Sequence, residues 1–131
     1  MFNTPRRDGT VINLAVAADK EITEGAIVAL TEQGFLVEAT DQSATLVVGR
    51  ANEAAYNLKG AAGDSRANVQ RQSAFLFANA TGADEVKEEH LFEECFLFDA
   101  FTVAAIEGDP ARLSVGKVIE ISKEGVWVEI A

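Results

Sequence analysis

At 131 residues with 48% apolar side chains, the chain is long enough for one hydrophobic core and too apolar for intrinsic disorder. Acidic side chains outnumber basic ones 21 to 11, a formal net charge of −10, which excludes a general nucleic-acid binder and disfavours an anionic membrane surface. The single cysteine, Cys95, leaves no internal disulfide framework and no cysteine-based zinc site, and no apolar run approaches the roughly 20 residues that span a bilayer.

The chain begins "MFNTPRRDG", a paired Arg6-Arg7 on an otherwise acidic sequence. The following "RRDGTVINLAVAAD" imitates a secretion signal, but Asp8-Gly9 and Asn13 interrupt the pattern, so the segment is expected to be retained. It reads as an extended arm over residues 1–9, ahead of a single β-rich domain over 10–131.

"TVINLAV" alternates, with Thr10, Ile12, Leu14 and Val16 on one face, and predicts a strand. "AIVALTEQGFLVEA" and, near the end, "VIEISKEGVWVEI" share one pattern: an apolar strand, polar residues with a glycine, and a second strand. Both predict hairpins, with Gly34 and Gly125 supplying positive φ. Between them "TLVVGRANEA" predicts a strand and "YNLKGAAGDS" an exposed loop. "RANVQRQSAFLFAN" reads as one long strand whose alternation changes phase near Ser73-Ala74, where a bulge is expected.

"ATGADEVKEEHLFEEC" is the one good helix candidate, with Thr81 or Asp84 as cap, acids in the first turn, and Val86 and Leu91 facing inward. "ECFLFDAFTVAA" returns to strand character with a turn at Asp99-Ala100, "IEGDPAR" is a loop, and "LSVGKVIEI" leads into the last hairpin. There Val126, Val128 and Ile130 share one face, and Trp127 lies on the other, either packed in its own domain or at an oligomer contact. The expectation is a mainly β fold: a compact small barrel or sandwich of about seven or eight short antiparallel strands, with one short helix and an extended N-terminal arm.

No nucleophile elbow, phosphate loop, zinc helix or dinucleotide fingerprint is present in the sequence. Cys95, in "FEECFLF", reads as a small buried hydrophobe. The acidic run from Asp84 to Glu94 lacks the loop that arranges oxygens around calcium and reads as a solvated face, and His90 within it reads as incidental. No catalytic, cofactor or metal residue is assigned. The residues favour a binding or structural role over catalysis. A small hydrolase or ligand-binding barrel, its pocket lined by Phe75, Phe77 and Phe98, stands as an alternative.

Five stretches resemble the head decoration, or capsid cement, proteins of Mu-like and related tailed phages. They are "NTPRRDG" at 3–9, "EGAIVALTEQGFLVEAT" followed by "LVVGRANEA", "RQSAFLFAN" at 71–79, "TVAA" at 102–105, and the ending "SVGKVIEISKEGVWVEI". The segment "DEVKEEHLFEECFLFDAF" departs from the family by being more acidic and more apolar. The resemblance implies a structural virion protein, not an enzyme. It would be made in the host cytoplasm and would sit on the outer surface of the phage head, cementing neighbouring major capsid protein subunits. It implies a homo-oligomer, with a trimer favoured and a dimer possible, and no cofactor. The arm residues Phe2, Asn3, Thr4, Pro5, Arg6 and Arg7 would contact the capsid or a neighbouring subunit, and Trp127 is a further possible oligomer contact. Another virion component, from the tail or connector, is the alternative within this class.

Overall fold

The computed structural model describes residues 9–131. Of the expected arm, Phe2, Asn3, Thr4, Pro5, Arg6 and Arg7 lie outside the described residues.

Strands dominate. In chain order they are β1 (Val11–Ala15), β2 (Glu21–Ile22), β3 (Ile27–Leu30), β4 (Leu36–Glu38), β5 (Leu46–Ala51) and β6 (Ala55–Tyr56). There follow β7 (Arg66–Gln70), β8 (Ser73–Asn79), β9 (Glu94–Asp99), β10 (Thr102–Ala104), β11 (Ser114–Ser122) and β12 (Gly125–Ile130). One sheet runs β1-β7-β5-β3-β4, β2 pairs with β6, and the remaining five strands close into a barrel in the order β10-β8-β12-β11-β9. A parallel bridge from Val16 to Leu36 brings the two outer strands of the first sheet together.

Both expected hairpins form. β3 pairs with β4 around Gly34 (φ +86°), and β11 pairs with β12 around Gly125 (φ +149°). Gly125 is required for a second reason: a Cβ there would collide with the Phe77 carbonyl oxygen on the adjoining strand.

The two sheets share a wall. Ile27 and Ala29 of β3 join the core of the barrel, with Phe75, Phe77, Val103, Val118, Val126 and Val128. Val28 faces the other way, into a core with Val16, Ile22, Leu36, Ala67 and Val69. A strand covered on both faces reads as a continuous apolar run, and "AIVAL" is one. Arg50 on β5 adds a link, its guanidinium carbon 4.8 Å from the centroid of the Phe75 ring on β8.

Three expectations need correction. The long strand over 66–79 is two strands in different sheets. The chain breaks at Arg71-Gln72, with Gln72 at φ +55°, and the change of phase marks the switch from sheet to barrel rather than a bulge.

The expected helix is two short 3₁₀ turns, Gly82–Asp84 and Glu88–His90. Its physical obstacle is Asn79, whose side-chain amide takes both backbone groups of Val86 (2.8 and 2.9 Å). The intervening backbone is extended at Glu85 and Lys87, and Val86 and Leu91 alone do not make a helical apolar stripe.

The described residues also carry twelve strand segments, more than expected because some are only two or three residues long. They are not all antiparallel, since β10 and β8 pair in parallel.

Candidate interaction surface

The segment from Asp84 to Phe101 carries three exposed aromatic side chains. It leaves β8, makes the two 3₁₀ turns, and returns as β9 and the β9–β10 turn. Phe92 is 68% exposed, Phe98 49% and Phe101 45%, and Ile106 just beyond is also exposed.

Each aromatic stands on a hydrogen-bonded support. Phe92 sits at φ +64°, an uncommon conformation for a bulky side chain. It is held there by its N–H donating to the Val118 carbonyl (2.7 Å), while the Val118 N–H donates to the Glu93 carbonyl (2.9 Å). These bonds continue the antiparallel β9–β11 pairing, in which Glu94 stands opposite Lys117. The Lys87 N–H donates to His90 Nδ1 (2.8 Å), closing the turn before Phe92. His90 is thus a local cap, and its Nε2 lies 3.8 Å from the Glu89 carboxylate.

The turn carrying Phe101 is clamped from two sides. Ile27 of β3 donates its N–H to the Ala100 carbonyl, and Ala78 near the end of β8 donates to the Phe101 carbonyl (2.9 Å each). The Phe101 N–H itself donates to Asp99 Oδ1 (2.9 Å).

Arg112 organises the side bearing Phe98. It grips the Asp84 carboxylate through Nη1 and Nη2 (3.0 and 3.3 Å), donates to the Ile106 carbonyl (3.0 Å), and lies 5.5 Å from the Phe98 ring centroid. The Arg112 guanidinium holds the Asp84 carboxyl below its ordinary range, and the pairing raises Arg112 in turn.

Trp127, the possible oligomer contact, is half-buried on the outer face of β12. It stands opposite Leu76 of β8, itself exposed, and opposite Glu120 of β11. Cys95 is buried in the barrel core, where desolvation pushes its thiol up to about 12. Phe75 and Phe77 fill that same core and Phe98 lies on the surface, so the pocket those three would have lined does not form. Among the described residues no group of three or more His, Cys, Asp or Glu side chains converges as a cation site, and no helix is long and apolar enough to cross a membrane.

A shallow cleft of about 450 Å³ opens where β8 ends beside the β11–β12 turn. Its floor includes Ala78, Ala80 and Gly125, and Glu85, Glu124 and Lys123 bring charge to it.

The supports for this surface, Asn79, Arg112 and the Ile27–Ala100 bond, were not singled out in the sequence. Asn79 had one readable signal, an amide at the end of an apolar strand and just before the Thr81-Gly82 break. Comparison with protein-family models, curated proteins and solved structures returns no match.

Proposed function

We propose that this chain is a structural virion protein that binds the outer surface of a tailed-phage head and cements neighbouring major capsid protein subunits. It would act as a homo-oligomer, three copies in preference to two. The observation that carries this reading is the exposure of three aromatic rings in one segment, Phe92, Phe98 and Phe101, with the backbone at Phe92 and at the Ala100-Phe101 turn fixed by hydrogen bonds to β11, β3 and β8. Exposed apolar surface of this kind marks a protein contact. Burying what remains exposed of each ring contributes about 1–2 kcal/mol, and a surface already held in place loses little further entropy.

The sequence resemblance names the partner. Its stretches fall on β3, β4, β5, β8, β10, β11 and β12, which are the shared wall and most of the barrel, whereas the aromatic surface belongs to the segment that departs. In this reading a common frame presents a contact surface particular to this protein. Many copies across capsid seams gain stability by multivalency without an exceptional individual interface. The arm Phe2 to Arg7 supplies a second contact, and Trp127 beside Leu76 a third.

The test is the protein's copy number in purified virions, by quantitative mass spectrometry. Hundreds of copies per particle are expected. Its absence from virions would overturn the role, and a few copies per particle would favour a tail or connector component.

A further inference from the structure

The sheet and the barrel are one five-stranded unit built twice. The first unit pairs as β1-β7-β5-β3-β4 and the second as β8-β12-β11-β9-β10, so strands correspond both along the chain and across the sheet. Neighbours in these orders are antiparallel, and the first strand of each unit meets the third in parallel, at Val16–Leu36 and at Asn79–Val103. The registers agree to the residue. Arg50 opposite Gln70 corresponds to Lys117 opposite Glu129, and Ala51 opposite Val69 to Val118 opposite Val128. Val28 opposite Gly49 corresponds to Cys95 opposite Gly116, and the register shifts just beyond both pairs. A Cβ on Gly49 would collide with the Gln70 carbonyl, and one on Gly116 with the Glu129 carbonyl. Gly25 (φ +82°) donates its N–H to the Ala51 carbonyl (2.9 Å), as Phe92 (φ +64°) does to that of Val118 (2.7 Å).

Each unit therefore shows what the other's fold requires. On the outer face of the first unit, Asn13 of β1 stands opposite Asn68 of β7, the Asn52 N–H donates to the Asn68 carbonyl, and Gly25 lies beside Ala51. The amides are satisfied locally: Asn13 Nδ2 donates to Asn68 Oδ1 (3.1 Å), and Asn52 Oδ1 accepts from Arg50 (3.0 Å). At the four corresponding positions the second unit has Leu76, Trp127, Ile119 and Phe92. Leu76 and Trp127 are cross-strand partners, and a bulge sets Ile119 with Glu120 opposite Trp127. Leu76 is 41% and Phe92 68% exposed, and Trp127 and Ile119 are half-buried. The fold accepts three amides and a glycine at this row, so packing does not demand the four apolar side chains. Phe92 also holds a backbone conformation that suits glycine, a strain with no structural return. An apolar row that crosses β8, β12, β11 and the entry to β9, about 15 Å at the spacing of strands, marks a protein contact.

The charge beside the row selects the occupant. Glu120 stands opposite Trp127, Glu93 follows Phe92, and the next row across the sheet holds Glu129, Lys117 and Glu94. The β11–β12 turn adds Lys123 and Glu124, which offset each other. The same face of a second copy would set like charges together, whereas apolar pockets with a basic rim complement it.

We propose that the row Leu76, Trp127, Ile119 and Phe92 of the second unit is the docking surface for a partner protein that offers apolar pockets rimmed by Lys and Arg. The proposal rests on the decoration reading for that partner's identity, the capsid shell.

The experiment is a binding titration of the purified full chain onto undecorated expanded heads of a tailed phage whose genome encodes it, with thermal unfolding of each variant as the check on folding. Leu76→Asn/Trp127→Asn and Phe92→Gly give the second unit the residues of the first. Each should weaken binding about tenfold or more. Phe92→Gly relieves the backbone, so it tests the proposal even where the paired variant unfolds. Asn13→Thr/Asn68→Thr in the first unit should leave binding unchanged, and wild-type binding should weaken as salt is added. Folded second-unit variants that bind like wild type would overturn the proposal and leave the decoration reading standing. Binding insensitive to salt, or lost in the first-unit variant, would also overturn it. Wild-type self-association in sedimentation velocity that Leu76→Asn/Trp127→Asn abolishes would make the occupant a second copy and overturn it too. Heads left bare by wild type would overturn the decoration reading and the proposal together.

Discussion

The side-chain amide of Asn79 pairs with Val86 on both sides: its Oδ1 accepts from the Val86 N–H at 2.8 Å and its Nδ2 donates to the Val86 carbonyl at 2.9 Å. The amide mimics a neighbouring strand and holds extended a stretch whose acids and Leu91 otherwise read as helix. Val86 is buried, so losing the amide leaves a buried donor and acceptor unmet. Asn79→Ala should cost about 1–3 kcal/mol in urea unfolding, with faster amide hydrogen exchange concentrated in residues 82–93. Unchanged exchange there would show that the segment is held by other contacts.

β3 makes the fold a joint structure rather than two neighbours. Ile27 and Val28 are both fully buried, on opposite faces and in different cores. Ile27→Ala should cost about 2–5 kcal/mol and Val28→Ala about 2–3 kcal/mol. Chemical denaturation of both variants checks this. A strand with one solvent face would leave one of the two changes nearly neutral.

Acid should weaken the fold partly through Asp41. The Ser43 N–H donates to its carboxylate at 3.0 Å, Lys20 pairs with it at 2.9 Å, and the Ser43 hydroxyl donates at 2.7 Å; together they hold its carboxyl down from 3.8 to about 2. A depressed folded-state value stabilises above the unfolded value of 3.8 and is lost as pH falls through about 2. Stability of the wild type relative to Asp41→Asn should therefore shrink as pH falls across that window. The same pair raises Lys20 above 10.5, a contribution present below that value and lost as pH climbs through the raised one. Denaturation curves of both proteins at several pH values test this, and a constant difference would contradict it.

The aromatic surface is open to a direct test because its rings are exposed. Phe92→Ser, Phe98→Ser and Phe101→Ser should each change stability little, within about 1 kcal/mol. Removing Phe92 also removes a bulky side chain from a left-handed backbone position. Combined, the three should abolish binding to capsids while leaving the thermal unfolding midpoint near wild type. Retained binding by the folded triple variant would move the contact elsewhere.

What the sequence made legible was local. The hairpins at Gly34 and Gly125 follow from turn chemistry and alternation, and the inward set Val126, Val128 and Ile130 from period two. The buried setting of Cys95 followed from its apolar neighbours. What escaped was set by distant partners. The phase change near residue 73 was visible, but whether a strand bulges or crosses to another sheet depends on what it pairs with. "YNLKGAAGDS" reads as an exposed loop, yet Asn57 is buried, its amide donating to the carbonyls of Ala61, Ala17 and Val16 (2.9, 3.0 and 3.3 Å). A polar residue in a glycine-rich stretch carries no local mark of such a role. The candidate surface was hidden for the same reason: "FLFDAF" shows apolar residues, and only the pairings of β9 and β10 decide which of them face out.

The central claim is attachment to the outside of a phage head. The measurement that tests it most directly is an image reconstruction of expanded, undecorated heads of a tailed phage whose genome encodes this chain, after mixing with the purified protein. The account predicts ordered density on the outer surface at seams between major capsid protein subunits, with the segment bearing Phe92, Phe98 and Phe101 against the shell. Heads that stay bare under saturating protein would contradict it.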